Sequence, residues 1–252
     1  MTDNVYAEIP QSLRYKYRHL GSGVQWGDKI MELPKDKIYD TVVAIMRANP
    51  PQTNHTEMLR EICKKAKKVN INVGSSNKWN NKNPFKIEER IEMLDLTLKK
   101  SCRNYELLQL PDFDNDESWF NHLMKINGGL TEILSNNQGD TKIYQAHQYL
   151  PGKPREEENK RYDIITPLDV FPQERMKYVT QIVMDDLPYT LKKPMYASGT
   201  FTRAAIVNDW NWEDFVDNPV VEYIKRKGLV EQVKKMCPEL VGISLSKIDD
   251  GR

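Results

Sequence analysis

The segment Thr41 to Met46, TVVAIM, is apolar beyond its first residue and only six residues long. A run this short and this continuous fits a strand buried on both faces of a parallel sheet. The polar stretch Asn49-Pro50-Pro51-Gln52-Thr53-Asn54 follows, and then Met58, Leu59, Ile62, Cys63 and Ala66 recur at helical spacing. Strand, loop and helix in direct succession point to an α/β fold.

The pattern continues. Val69, Ile71 and Val73 alternate with Asn70 and Asn72 before Gly74-Ser75-Ser76, a second strand ending in a loop. Ile87, Ile91, Leu94 and Leu98 mark another helix, Tyr105 to Leu110 a third strand, and Thr131 to Leu134 a fourth. This alternation predicts a Rossmann-like, doubly wound parallel sheet with helices on both faces and ligands at the carboxyl ends of the strands.

Three regions lie outside the pattern. Residues 1–40, rich in Tyr, Gly and charge, read as an N-terminal extension. An insertion of about 138–194 holds Gly152-Lys153-Pro154 and the charged run Arg155 to Arg161, expected as an exposed loop, then a helix around Met176, Val179, Ile182 and Val183. Trp212 to Met236 reads as helical, so the expected division is a main domain over 41–207 and a C-terminal helical cap over 208–252.

Lys and Arg (37) nearly balance Asp and Glu (36), so no global field draws the chain to nucleic acid or an anionic membrane. The run Lys64-Lys65-Ala66-Lys67-Lys68 reads as a solvated helix end. With no secretory pattern at Met1 to Val5 and no spanning apolar run, a cytoplasmic protein is expected. Cys63, Cys102 and Cys237 are odd in number, scattered and lack C-x-x-C spacing, which argues for reduced packing thiols and against a disulfide framework or structural zinc.

Two segments carry the chemistry. The Asn49 to His55 loop and Ser198-Gly199-Thr200-Phe201-Thr202-Arg203 each place small or polar residues and a cation at the start of a helix, where backbone N–H groups meet phosphate. Taken alone, His55 could be a surface residue, the SGTFTR segment an ordinary helix cap and Asn83-Pro84-Phe85 a turn.

Together with their neighbours these motifs resemble the nicotinamide mononucleotide adenylyltransferases, most closely the archaeal type, within the nucleotidyltransferase superfamily. Met46-Arg47-Ala48-Asn49-Pro50-Pro51-Gln52-Thr53-Asn54-His55 is similar to the family's G-R-F-x-P-x-H-x-G-H loop, matching at Arg47, Pro50 and His55. Met46, Ala48, Gln52 and Asn54 stand where the family has glycine, an aromatic, its first histidine and its second glycine. Asn83-Pro84-Phe85 through Glu89-Arg90 and Glu92-Met93 resembles N-P-F-x-x-x-E-R-x-E-M. Pro111-Asp112 with Trp119 resembles the family's P-D segment and tryptophan, and Ser198 to Arg203 its S-G-T-x-I-R.

The resemblance implies transfer of the AMP moiety of ATP to nicotinamide mononucleotide, giving NAD and pyrophosphate, with Mg2+ carried by ATP and no metal ligands from the chain. It implies catalytic roles for His55, Arg47 and Arg203. Asn49, Gln52, Arg90, Ser198, Gly199 and Thr200 would bind the ATP phosphates, with Gln52 donating to a phosphate oxygen. Asn83, Phe85, Asp112 and Trp119 would bind the nicotinamide nucleotide, the indole stacking on the pyridinium. A homo-oligomer is among the states the resemblance suggests. The competing readings are nicotinate mononucleotide or a related acceptor, and a non-catalytic NAD or ATP sensor, motivated by Met46, Ala48 and Gln52.

Overall fold

The computed structural model describes residues 15–18, 38–129, 132–135, 138–165, 181–184 and 198–243. Strand β1 (Tyr15–Arg18) lies in the region read as an extension. Then come β2 (Tyr39–Met46), α1 (Thr53–Lys65), β3 (Ala66–Val73), α2 (Ile87–Leu98), β4 (Tyr105–Gln109), α3 (Asp116–Ile126), β5 (Glu132–Leu134), α4 (Gln138–Ala146), β6 (Asp163–Ile165) and β7 (Gln181–Met184). Helices α5 (Gly199–Val207), α6 (Asn218–Arg226) and α7 (Leu229–Met236) complete the described chain.

Five strands form one sheet in the order β4-β3-β2-β5-β6, every neighbouring pair parallel. Chain order runs outward from β2 in one direction and then from β5 in the other, so the topology reverses between these two strands. Open sheets of this kind leave a crevice at the carboxyl ends of the strands flanking the reversal. The Rossmann-like reading of the sequence holds.

Alternation along β2 and β3 sorts the two faces. Val42, Ala44, Met46, Val69, Ile71 and Val73 pack with residues of α1 and α2, whereas Val43 and Ile133 pack with Phe120 and Leu123 of α3 and Tyr144 of α4. A third cluster joins Phe85 and Met93 to α5, α6 and α7, so the C-terminal helices share a core with α2. In that contact the Tyr223 hydroxyl donates to Glu92 at 2.9 Å.

Several expectations change. Helix α3 has no counterpart in the sequence reading, although Asn115 caps it by accepting from the Ser118 N–H at 2.8 Å. Ile182 and Val183 lie on strand β7, paired antiparallel with β1, and not on a helix. Two adjacent β-branched residues favour that extended pairing, and the Met176 and Val179 part of the expectation lies outside the described residues. The Lys64 to Lys68 run is only half helical, because β3 begins at Ala66. Within 138–165, the stretch 151–158 is exposed as expected, but Asp163–Ile165 forms the edge strand β6.

The cysteine reading is also corrected. Cys63, near the end of α1, is disulfide-bonded to Cys102, just beyond α2, with their Cα atoms 5.7 Å apart, and Cys237 is the free, buried thiol. Packing of α1 and α2 on one sheet face brings together two residues 39 positions apart, which spacing along the chain does not reveal.

Candidate active site

The loop that leaves β2 is pinned from several directions. The Asn49 side chain donates to Asn83 Oδ1 at 3.0 Å and accepts from the Phe85 N–H at 3.3 Å, tying this loop to the one after β3. Its carbonyl oxygen accepts from Arg203 Nη1 at 3.0 Å. Ala48 in this loop and Ser75 in the next both have φ of 50°, a left-handed conformation uncommon without glycine and characteristic of constrained functional loops.

Helix α5 begins against this loop. Ser198 caps it, accepting from the Phe201 N–H at 3.1 Å, and Thr200 Oγ1 accepts from Arg203 Nη2 at 3.1 Å. A Cβ on Gly199 would lie 3.2 Å from both Asn49 O and Arg203 Nη1, so the close approach depends on glycine. Gln52, the residue preceding α1, donates through Nε2 to Thr202 Oγ1 at 3.3 Å. The two phosphate-type motifs, 150 positions apart, therefore touch at their helix starts.

The electrostatics of these starts differ from those of their neighbours. The first turns of α2 and α3 carry Glu88, Glu89, Asp116 and Glu117. Those of α1 and α5 carry no acidic residue, and Gln52 gives α1 no side-chain cap. The positive ends of two helix dipoles thus meet with no acidic residue in either first turn, an arrangement suited to an anion.

His55 lies in the first turn of α1. The residue is partly exposed, yet its Nδ1 is sealed from solvent without a hydrogen-bond partner. Burial pushes its pKa down to about 4, so in the free protein it is a neutral imidazole. The Arg47 side chain is exposed, and that of Arg203 is nearly covered, with Nε buried and unpartnered. Burial lowers the Arg203 pKa, with the nearby Arg47 acting in the same direction, but a guanidinium keeps its charge at neutral pH.

Five of the expected ligands are buried: Asn49, Gln52, Asn83, Phe85 and Arg90. Gln52 is 0% exposed, with Nε2 turned toward Thr202 of α5 and Oε1 unpartnered. Arg90 is likewise fully buried, and both terminal nitrogens donate to backbone carbonyls. Phe85 is fully buried in the cluster shared with the C-terminal helices.

Asp112 and Trp119 are on the accessible side. Asp112 is exposed and accepts from Ser75 Oγ at 3.0 Å, and its backbone exchanges hydrogen bonds with the Asn77 amide. Trp119 is partly exposed on α3 and packs edge-on against Phe120, ring centroids 4.9 Å apart. Ser75 and Asn77 have no assigned role in the sequence reading; the polar run after β3 is the available signal for them.

Among the described residues no three His, Cys, Asp or Glu side chains are grouped to hold a metal ion, and no helix is long and apolar enough to cross a membrane.

No family model matches the chain. Against curated proteins, it is 24% identical to the nicotinamide-nucleotide adenylyltransferase of Thermococcus sibiricus over 202 residues, 77% of this chain and 88% of the relative. A second, from Methanococcus aeolicus, is 22% identical over 193 residues, 76% of this chain and 92% of the relative. Both relatives are nicotinamide-nucleotide adenylyltransferases, the family whose motifs the chain resembles. A shorter match, to the Methanolobus tindarius adenylyltransferase, is 26% identical over 111 residues and spans 64% of that relative.

Solved structures share the fold. A bifunctional NMN adenylyltransferase/ADP ribose pyrophosphatase from Francisella tularensis superposes with a TM-score of 0.55 at 18% identity, over 80% of this chain and 53% of its own. The same bifunctional protein complexed with AMP and a Mn ion gives 0.52 at 16% identity, over 79% and 52%.

Proposed function

We propose that the protein joins the AMP moiety of ATP to nicotinamide mononucleotide, forming NAD and releasing pyrophosphate. The observation that carries the reading is the meeting of two helix starts, both free of acidic residues, at the carboxyl edge of a Rossmann-like sheet. A phosphate oxygen of the mononucleotide attacks the α-phosphorus of ATP. One P–O bond forms, the bond to the β-phosphate oxygen breaks, and the electron pair leaves with pyrophosphate. The mononucleotide phosphate, with its second pKa near 6, is already mostly dianionic at neutral pH, so no protein nucleophile is required.

The protein's part is alignment and charge stabilisation. Arg47 supplies an exposed guanidinium, Arg203 a positive charge beside the start of α5, and His55 an N–H from a neutral ring, while the first turns of α1 and α5 supply backbone N–H groups around Ser198, Gly199 and Thr200. Magnesium enters with ATP as part of the substrate. Asp112 and Trp119 hold the nicotinamide, the indole facing a flat cationic ring. Asn49, Asn83, Phe85 and Gln52 act as braces of this crevice. In this scheme residues 41–207 carry the reaction and 208–252 support it, and the use of ATP fits a cytoplasmic enzyme.

The inward-facing Gln52 favours a second reading, a nucleotide sensor without turnover, because it withholds a group expected at the phosphates. Incubating purified protein with ATP, magnesium and either nicotinamide or nicotinate mononucleotide separates the readings. Pyrophosphate release matched to NAD formation supports the enzyme, and the ratio of kcat/KM values identifies the acceptor. Nucleotide binding by calorimetry without pyrophosphate supports the sensor.

A further inference from the structure

Arg90 occupies an unusual position for a buried cation, since its guanidinium donates only to main-chain oxygens. Nη1 donates to Arg47 O at 3.0 Å and to Gly74 O at 2.7 Å, and Nη2 donates to Ser75 O at 3.0 Å. Arg47 belongs to the loop after β2, and Gly74 and Ser75 to the loop after β3. Ser75 extends the connection to the loop after β4, because its Oγ donates to Asp112 Oδ1 at 3.0 Å. The backbone from which Arg90 projects is itself fixed, as Glu89 accepts from the Lys86 N–H at 2.7 Å at the start of α2.

We infer that Arg90 is a positioning residue that sets the spacing of the three crevice loops, and that it does not contact phosphate. With 0% exposure and Nε sealed from solvent, the side chain offers no surface to a ligand. The planar fork suits this task, because its terminal nitrogens reach carbonyls on separate loops, whereas an ammonium presents its donors from one point. The strand-end carbonyls it satisfies lie beyond the last rungs of the sheet, where a missing donor leaves a buried acceptor unpaired. The inference rests on the adenylyltransferase reading for its catalytic consequence but not for its structural one.

Hydrogen exchange and kinetics on Arg90→Lys and Ser75→Ala test it. For Arg90→Lys, exchange should rise together at residues 47–49, 74–77 and 110–115. Its kcat should fall by roughly tenfold, the loss of a charge-assisted hydrogen bond, with KM for ATP within about threefold of wild type. Ser75→Ala should loosen 74–77 and 110–115 while leaving 47–49 as in wild type, and raise KM for the mononucleotide about fivefold. Unchanged exchange in Arg90→Lys, with KM for ATP raised about tenfold and a shallower salt dependence, would mean a direct phosphate contact and overturn the inference. A Ser75→Ala protein with exchange unchanged at 110–115 would overturn it as well. Should wild type show no turnover, the exchange pattern still decides the role of Arg90, and only the adenylyltransferase reading falls.

Discussion

Arg203 Nη1 donates to the Asn49 carbonyl oxygen at 3.0 Å across 154 positions, so a guanidinium proposed for phosphate binding also anchors the loop facing it. One cation therefore links affinity to geometry. Its two terminal nitrogens hold protein oxygens, and Nε is the donor left without a protein partner.

Gly199→Ala should disturb this junction more than an ordinary helix substitution. The added methyl would sit 3.2 Å from Asn49 O, a main-chain atom that cannot swing aside. Overpacking of this kind costs about 1–3 kcal/mol, partly offset by the better helix propensity of alanine, up to about 1 kcal/mol. Urea denaturation should show a net loss, and kcat/KM should fall further than stability alone would cause.

Stability should depend on His55 in mildly acidic solution. Its folded pKa of about 4 lies below the unfolded value of 6.5, so between these values the unfolded chain binds a proton that the folded chain refuses. The contribution of His55 is full above about pH 6.5 and is lost as pH falls toward 4. Denaturation curves from pH 7.5 to 4.5 should be steeper in pH for wild type than for His55→Asn; equal slopes would assign the dependence elsewhere.

Asp217 should prove a brace of α1. Its carboxylate accepts from Thr56 Oγ1 at 3.0 Å and pairs with Arg60, which also reaches Thr97 O at 3.3 Å. Removing a mostly buried acceptor from charged and neutral donors typically costs about 1–3 kcal/mol. Asp217→Ala and Arg60→Met should be non-additive in a double-mutant cycle, and strict additivity would show the pair to be energetically idle.

Reduction should destabilise the fold without touching the crevice directly. In the chain-entropy account, a disulfide closing a loop between Cys63 and Cys102 stabilises by about 3–4 kcal/mol. Dithiothreitol should lower Tm of wild type and leave Cys63→Ser/Cys102→Ser unaffected.

The central strands were legible because burial on both faces leaves continuous or alternating apolar runs, as in Val42 to Met46 and Val69 to Val73. Strand β6 offers only Ile164-Ile165 after the charged run Arg155 to Arg161, and α3 opens with the polar Asp116-Glu117-Ser118, which resembles loop. At the site, residue types near the crevice were readable, but partner choice was not. The oxygens that take up Arg90 and Arg203 include the carbonyls of Arg47, Gly74, Ser75 and Asn49, and a main-chain acceptor leaves no mark in the amino-acid letters. The Cys63–Cys102 pairing is hidden for a similar reason, since it follows from helix packing.

The ties from Gln52 to Thr202 and from Asn49 to Arg203 also bear on how the molecule comes into being. During synthesis the ribosome releases the sheet-forming segments well before Ser198 to Arg203, so a nascent chain can begin to fold around β2 and β3 while its crevice still lacks one wall. The second wall of that crevice is in place only once Ser198 to Arg203 has emerged from the exit tunnel and docked.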